Sequence, residues 1–311
     1  MIFYFSGTGN TRWAAEQLAA ATHERLLFIP DELQGDCTYT LHADERIGFC
    51  FPVHGWQPPH IVRQFISRLT ITQQPSSISH HPSNISHQPS SISHHPSSIS
   101  HHPSNIYSYA LCTCGDSTGL AMTMLAKKLS AKGITLQSCQ SLTMPESYVC
   151  LPFMYTDTPE REREKIEQAK VDLEKFIEVV VNRRSGYSQL TLGLTPWTFS
   201  HVIGAYFNSF MITDRKFTVD ADRCLHCGKC AKVCPVGDIE LRTEQSGASS
   251  PSSSDTTSPS EASSPSGAVP YWLHDDRCTC CLSCYHHCPV HAINYGRITR
   301  KRGQYYFGHS K

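Results

Sequence analysis

Eight of the fifteen cysteines in this chain fall into two copies of one spacing. Cys224, Cys227, Cys230 and Cys234 form the first copy, with Pro235 next and Ile239 beyond; Cys278, Cys281, Cys284 and Cys288 form the second, with Pro289 and Ile293 in the same places. Thiolates are soft ligands suited to iron, and three close ones can wrap one side of a centre while a distant fourth closes it. A structural zinc ribbon needs only four ligands and no Cys-Pro ending. A disulfide framework belongs to an oxidising compartment, and the apolar opening Met1–Phe5, which does not read as a secretory leader, leads to the expectation of reduced thiols. The cysteines therefore read as iron ligands. Cys280 interrupts the second run, and moving the ligand set onto it breaks the spacing to Cys284, so it reads as a non-ligand.

This C-x2-C-x2-C-x3-C-P run resembles that of bacterial-type ferredoxins, where it holds a [4Fe-4S] cubane and the fourth cysteine of each run serves the other cluster. The resemblance implies two [4Fe-4S] clusters. Cys224, Cys227, Cys230 and Cys288 would hold one, and Cys278, Cys281, Cys284 and Cys234 the other.

A second constellation stands near the other end of the chain. Ser6-Gly7-Thr8-Gly9-Asn10-Thr11 directly follows the apolar run Met1–Phe5. Glycines let a backbone approach closely, and hydroxyls and amides at a helix N-terminus can satisfy a phosphate dianion. No lysine is present and the spacing is not a Walker motif, which disfavours a nucleoside triphosphate. The Ser-x-Thr-Gly-x-Thr pattern of this loop resembles the FMN phosphate cradle of flavodoxins, and that resemblance implies that two further loops surround a flavin ring. One is Pro52-Val53-His54-Gly55-Trp56, where Trp56 or His54 could stack and Gly55 could permit a peptide rearrangement. The other is Cys114-Gly115-Asp116, with backbone groups and a carboxylate for the ring edge.

The elements that must position these loops follow from periodicity. Strands are expected at Met1–Phe5, Arg25–Ile29, Ile47–Phe51, Tyr107–Thr113 and Ile134–Leu142. Helices are expected at Asn10–Ala21, around Ile61 to Leu69, at Leu120–Lys132 and at Pro159–Arg184. Five strands alternating with helices imply a parallel sheet covered on both faces. Ligands in such sheets bind at the carboxyl ends of the strands, at the topological switch point. The first loop, placed at the first strand–helix junction, resembles the FMN phosphate cradle of flavodoxins. That resemblance extends over about residues 1–184 and implies bound FMN. The fourth-strand loop departs from the family by lacking an aromatic residue for the outer face of the flavin.

The expected organisation is thus an α/β flavodoxin-like, doubly wound, five-stranded parallel sheet over 1–184, a connector over 185–212, and a small α+β dicluster ferredoxin domain over 213–311. Two low-complexity insertions interrupt it. Residues 74–106 repeat a His-Pro-Ser heptad containing His80, His81, His87, His94, His95, His101 and His102, and read as a tolerated loop expansion rather than a metal tract. Residues 246–268 are rich in Ser and Pro and lengthen the loop between the cysteine runs, at little cost in stability.

Equal numbers of acidic and basic residues give a formal net charge of zero, which does not suit a nucleic-acid binder. The apolar stretch Trp197–Ile212 is too short to cross a bilayer and reads as a packed connector. The basic segment Arg297–Arg302 reads as a solvated tail. These features lead to the expectation of a cytoplasmic protein without stable membrane insertion.

As a whole the chain resembles the fused flavodoxin–ferredoxin proteins of anaerobic bacteria. The resemblance implies electron transfer between two [4Fe-4S] clusters and FMN, with a redox protein as donor or acceptor. A flavin-dependent reductase of a small-molecule acceptor is the alternative, with His54 as a proton donor. For His54 itself, an exposed loop histidine is the simpler expectation.

Overall fold

In the computed structural model the described residues are 1–42, 45–73, 106–243 and 267–309. The repeat over 74–106 and the Ser/Pro-rich stretch over 246–268 lie almost wholly outside them. The chain opens with β1 (Ile2–Tyr4), α1 (Asn10–Thr22), β2 (Leu26–Phe28), the single turn α2 (Ile29–Glu32) and β3 (Thr38–Leu41). It continues through β4 (Ile47–Pro52), α3 (His60–Arg68), β5 (Thr70–Gln73), β6 (Ser108–Cys114), α4 (Ala121–Ser130), β7 (Ser138–Thr143), α5 (Pro159–Val181) and β8 (Tyr187–Gln189).

Six of these strands form one parallel sheet in the order β2-β1-β4-β6-β7-β8. The sequence led to five. The sixth, β8, lies in the stretch expected to be connector, and its three residues show too little alternation to announce a strand. β3 and β5 pair in parallel as a separate two-stranded ribbon.

Burial on both faces explains the continuous apolar strands. All seven residues of β6 are buried, and its side chains alternate between two cores. Ala110 and Cys112 join Phe49, Phe51 and the α3 and α4 residues Phe65 and Leu125 on one face. Tyr109 and Leu111 join Leu18 of α1 and Leu173 and Phe176 of α5 on the other. Gly48 is small because the Tyr109 ring covers it; a Cβ there would come within 2.5 Å of that ring.

Beyond the sheet, a helical segment spans 196–211, much of it wound wider than an α-helix. Only its inner side is packed. Ser200, Gly204 and Phe207 are buried, whereas Trp197, Tyr206 and Phe210 are more than half exposed. The packed connector expected from composition therefore corresponds to one face of this helix only. Among the described residues no helix is long and apolar enough to cross a membrane.

The remaining chain forms two antiparallel ribbons. β9 (Phe217–Val219) pairs with β12 (Ile293–Tyr295), and β10 (Ile239–Arg242) pairs with β11 (Val269–Trp272). Both cysteine runs fold alike. Each carries one short helix, Lys229–Lys232 and Ser283–His286. Corresponding residues share the left-handed backbone: His226 and Cys280, Gly228 and Leu282, Gly237 and His291. This unit packs onto the carboxyl ends of the large sheet. The segment expected to be a solvated basic tail takes part: the Arg302 guanidinium lies 3.5 Å over the Tyr155 ring and donates to Pro152 O at 2.6 Å.

Candidate redox site

Two small cavities lie inside the cysteine-rich unit. Cys224, Cys227, Cys230 and Cys288 line the first, which encloses about 380 Å³. Cys234, Cys278, Cys281 and Cys284 line the second, of about 280 Å³. The last cysteine of each run thus faces the cavity of the other run. The paired ribbons bring this about, since β12 follows Cys288 and returns beside β9, which precedes Cys224.

Apolar side chains complete both walls, with Ile293 and Leu241 in the first and Phe217 and Trp272 in the second. Matching backbone donors point at sulfur: Asp238 N–H donates to Cys234 Sγ at 3.3 Å, and Ala292 N–H to Cys288 Sγ at 3.2 Å. Such bonds stabilise thiolate charge and tune a bound centre. Among the described residues no three His, Cys, Asp or Glu side chains converge as the ligands of a single ion would. The four thiols of each set stand around a cavity, an arrangement that fits a polynuclear cluster whose irons occupy separate corners.

Residues 216–239 match the family of 4Fe-4S binding domains. A 4Fe-4S binding domain points to electron transfer. No curated protein and no solved structure matches the chain. The match covers Cys224, Cys227, Cys230 and Cys234 and lies wholly within the first cysteine run and the strand before it.

A larger cleft opens above the carboxyl ends of β1, β4, β6 and β7, at the switch between β1 and β4. It holds about 1010 Å³ of empty space, counting the part open to solvent. Ser6, Gly7, Thr8, Asn10 and Thr11 line it, as do Pro52, His54, Gly55 and Trp56 and the stretch Cys114, Gly115 and Asp116. Gly9 does not. Its left-handed backbone (φ 96°) turns it toward the C-terminal segment, where a Cβ would come within 3.0 Å of Phe307.

The β1–α1 loop is held from several sides. Ser6 Oγ accepts from Gly9 N–H at 3.2 Å, Thr11 Oγ1 meets Thr113 Oγ1 at 2.8 Å, and Tyr305 Oη donates to Asn10 Oδ1 at 2.7 Å. The first intrahelical bond of α1 is Trp13 N–H to Gly9 O, which leaves the amides of Asn10, Thr11 and Arg12 without an intrahelical partner at the helix start, where Asn10 and Thr11 line the cleft. Free amides, glycine and hydroxyls are the donor set for a phosphate.

The two loops expected to meet a ring differ from expectation in two places. His54 is half-buried rather than exposed. Burial, with His60 and Arg63 adding to it, pushes its imidazole down to about 3, so it is neutral near pH 7. A neutral imidazole is not a ready proton donor. Trp56 adopts a left-handed backbone (φ 56°), donates from Nε1 to Ser117 Oγ at 3.2 Å, and leans on Phe199 with centroids 4.6 Å apart. Its ring is therefore held by the 196–211 helix as well as bordering the cleft. Cys114 is a buried thiol at the strand end, pushed up to about 12 by burial.

Several lining residues gave no signal at the sequence level. Tyr148 and Phe207 bring aromatic surface from the β7–α5 loop and the 196–211 helix, with their rings edge-on at 5.1 Å. Glu146 turns its carboxylate against Gly115, where any side chain would strike it, and burial raises its pKa. The rule that ligands sit at strand carboxyl ends could have pointed to Glu146 and Tyr148, just after β7. Nothing local could have pointed to Phe207.

One further contact joins the two sites. Cys281 lines both the second cysteine cavity and the cleft. Gly7 packs against it so closely that a Cβ would come within 2.7 Å of Cys281 Cβ.

Proposed function

We propose that the protein is an electron relay in which the crossed cysteine sets would hold two [4Fe-4S] clusters and the cleft would hold an FMN that exchanges electrons with them. Cys281 carries this reading, because it borders the inner cysteine cavity and touches the phosphate-type loop at Gly7. A flavin exchanges one or two electrons and the clusters one each, so a chain holding both can join carriers of either kind.

The chain's own residues have distinct tasks. Ser6, Thr8, Asn10, Thr11 and the free amides of α1 bind the phosphate. Pro52, Gly55, Trp56, Gly115 and Asp116 bound the ring, with Tyr148 and Phe207 supplying the aromatic surface that the fourth-strand loop lacks. Buried walls around the cysteines exclude water and set the potentials. Cys227 is exposed on the first cavity, so the outer cluster is the port for a redox-protein partner.

The test is protein purified without oxygen, with iron, acid-labile sulfide and released flavin counted per chain before and after reconstitution. About eight irons and one FMN are expected. Eight irons with no flavin bound even after reconstitution overturn the relay. A second reading, reduction of a small acceptor on the open side of the cleft, rests on the exposure of Asp116 there. Turnover by purified protein without any redox protein would favour it.

A further inference from the structure

The 196–211 helix presents an apolar face that the described residues leave uncovered. Its inner side is fixed from several directions. Leu120 N–H donates to Ser200 Oγ at 2.7 Å, Gln57 Nε2 donates to Ser200 O at 2.7 Å, and Arg63 Nη2 donates to Asn208 Oδ1 at 3.2 Å. Gly204 lies so close to Gly55 O that any side chain would strike it. The outer side carries Trp197, Val202, Tyr206 and Phe210, with Leu194 just before them, all more than half exposed. Trp197 leans on His201 with centroids 5.4 Å apart, and Tyr206 on Phe210 at 5.3 Å, so these rings pack on their own helix.

Charge in the elements that carry and flank this face has one sign. From Ser185 to Thr213 the chain holds no Asp, Glu, Lys or Arg, and exposed Arg183, Arg184, Arg215 and Lys216 stand at its two ends. Asp214 is buried and bonded to His274 at 2.9 Å. Helices α3 and α4, whose N-terminal ends hold the inner side, carry Arg63, Arg68, Lys127 and Lys128 and no acidic residue. The acids of α2 lie at the other end of α3, where Arg68 donates to Leu33 O at 2.6 Å. Those of α5, from Glu160 to Glu178, lie on the opposite face of the sheet.

We propose that the 196–211 helix is an interfacial anchor that seats the protein on an anionic membrane surface. At about 1.5 Å per residue it is about 24 Å long, short of the about 30 Å hydrocarbon core, so it lies along the surface rather than across it. Trp and Tyr favour the headgroup level, where ring and polar tip are both satisfied, while Phe210 and Val202 reach the first acyl carbons. Arg183, Arg184, Arg215 and Lys216 meet lipid phosphates. Basic charge without acidic charge matches a surface of uniform sign, which a headgroup layer is and a protein of mixed charge is not. Phe207, on the inner side, lines the cleft, so a seated protein holds its cleft beside the headgroups. The anchor depends on this face alone, whatever the cleft holds.

The experiment floats the full chain, with its iron retained, on a density gradient with vesicles of equal parts phosphatidylcholine and phosphatidylglycerol, and in parallel with phosphatidylcholine alone. Flotation with the anionic vesicles and release at high salt are expected. Trp197→Ser/Phe210→Ser should stay at the bottom with unchanged iron content and urea midpoint, because both side chains are exposed. Arg215→Gln/Lys216→Gln should weaken binding by about fivefold per charge removed. No flotation, equal flotation on neutral vesicles, or flotation of the aromatic variant like the parent each overturns the proposal. So does a parent that sediments as a dimer without lipid and becomes a monomer in the aromatic variant, because the face then belongs to a second copy of the chain.

Discussion

Gly7→Ala tests the joint between the phosphate-type loop and the inner cysteine cavity. The added methyl would lie 2.7 Å from Cys281 Cβ, 3.1 Å from its carbonyl oxygen and 3.2 Å from its sulfur. Carbon atoms are most comfortable at about 3.5–4.0 Å, so a gap of about 0.8 Å or more must open. Backbone geometry is not the obstacle, because Gly7 is not among the positive-φ glycines. If a cluster fixes Cys281, the loop is what must move. Overpacking of this kind costs about 1–3 kcal/mol. Without a ligand the loop can relax; with phosphate bound it must hold its shape, so the cost falls on the bound state. At about 1.4 kcal/mol per tenfold, FMN affinity should weaken by about 5- to 150-fold. Anaerobic fluorescence titration of FMN measures this, with iron content followed in parallel. Gly35→Ala is the control, since its Cβ would meet only Glu32 O at 3.6 Å. Unchanged FMN affinity in Gly7→Ala, at full iron content, would refute the close packing of loop and cysteine.

Other perturbations address the remaining parts. Cys234→Ala and Cys278→Ala should each remove the same cluster signal in electron paramagnetic resonance of the reduced protein, while Cys224→Ala removes the other; Cys234→Ala grouping with Cys224→Ala would undo the crossed assignment. Because His54 sits at about 3 in the folded chain, below its ordinary 6.5, the unfolded chain takes up that proton first. Its contribution to stability is full above about pH 6.5 and is lost as pH falls toward 3, so the urea midpoint should drop less between pH 7 and 5 in His54→Gln than in the parent. Lys165 Nζ pairs with Asp157 at 2.7 Å and donates to Gly115 O at 2.8 Å, both partners being nearly buried. Lys165→Met should cost about 3–5 kcal/mol in urea unfolding by stranding Asp157, and adding Asp157→Asn should restore part of it.

The sequence disclosed most where local rules govern. Helix α3 follows from the spacing of Ile61, Val62, Phe65 and Ile66, and the cysteine runs carry their own fingerprint. It disclosed less where tertiary contact decides. β8 is three residues long and owes its place to pairing with β7. Gly9 belongs to the phosphate-type motif by composition, yet Phe307 claims its open side, about 300 residues away in the chain. His54 reads as an exposed loop residue until Asn208 of the 196–211 helix caps its carbonyl at 3.2 Å and Phe5 closes on its ring. Tyr148 and Phe207 reach the cleft from elements with no motif at all.

The same long-range contacts bear on whether electrons move within one molecule or by a swinging domain. A swinging unit should meet the sheet through a small, polar, easily broken surface. Here the C-terminal segment returns across the β1–α1 loop: Phe307 N–H donates to Thr8 O at 2.8 Å, and the Phe307 ring stacks on Trp13 with centroids 5.0 Å apart. Tyr305 is buried on Asn10, and His286 Nε2 meets Ser147 O at 2.6 Å from the far side of the cleft. Swinging the cysteine-rich unit away would uncover Tyr305, Phe307 and Trp13 together and break the bonds that shape the phosphate-type loop. For the relay proposed above, the arrangement favours internal transfer through a fixed joint at Cys281, with exchange confined to the exposed rim of the first cavity around Leu225 and Cys227.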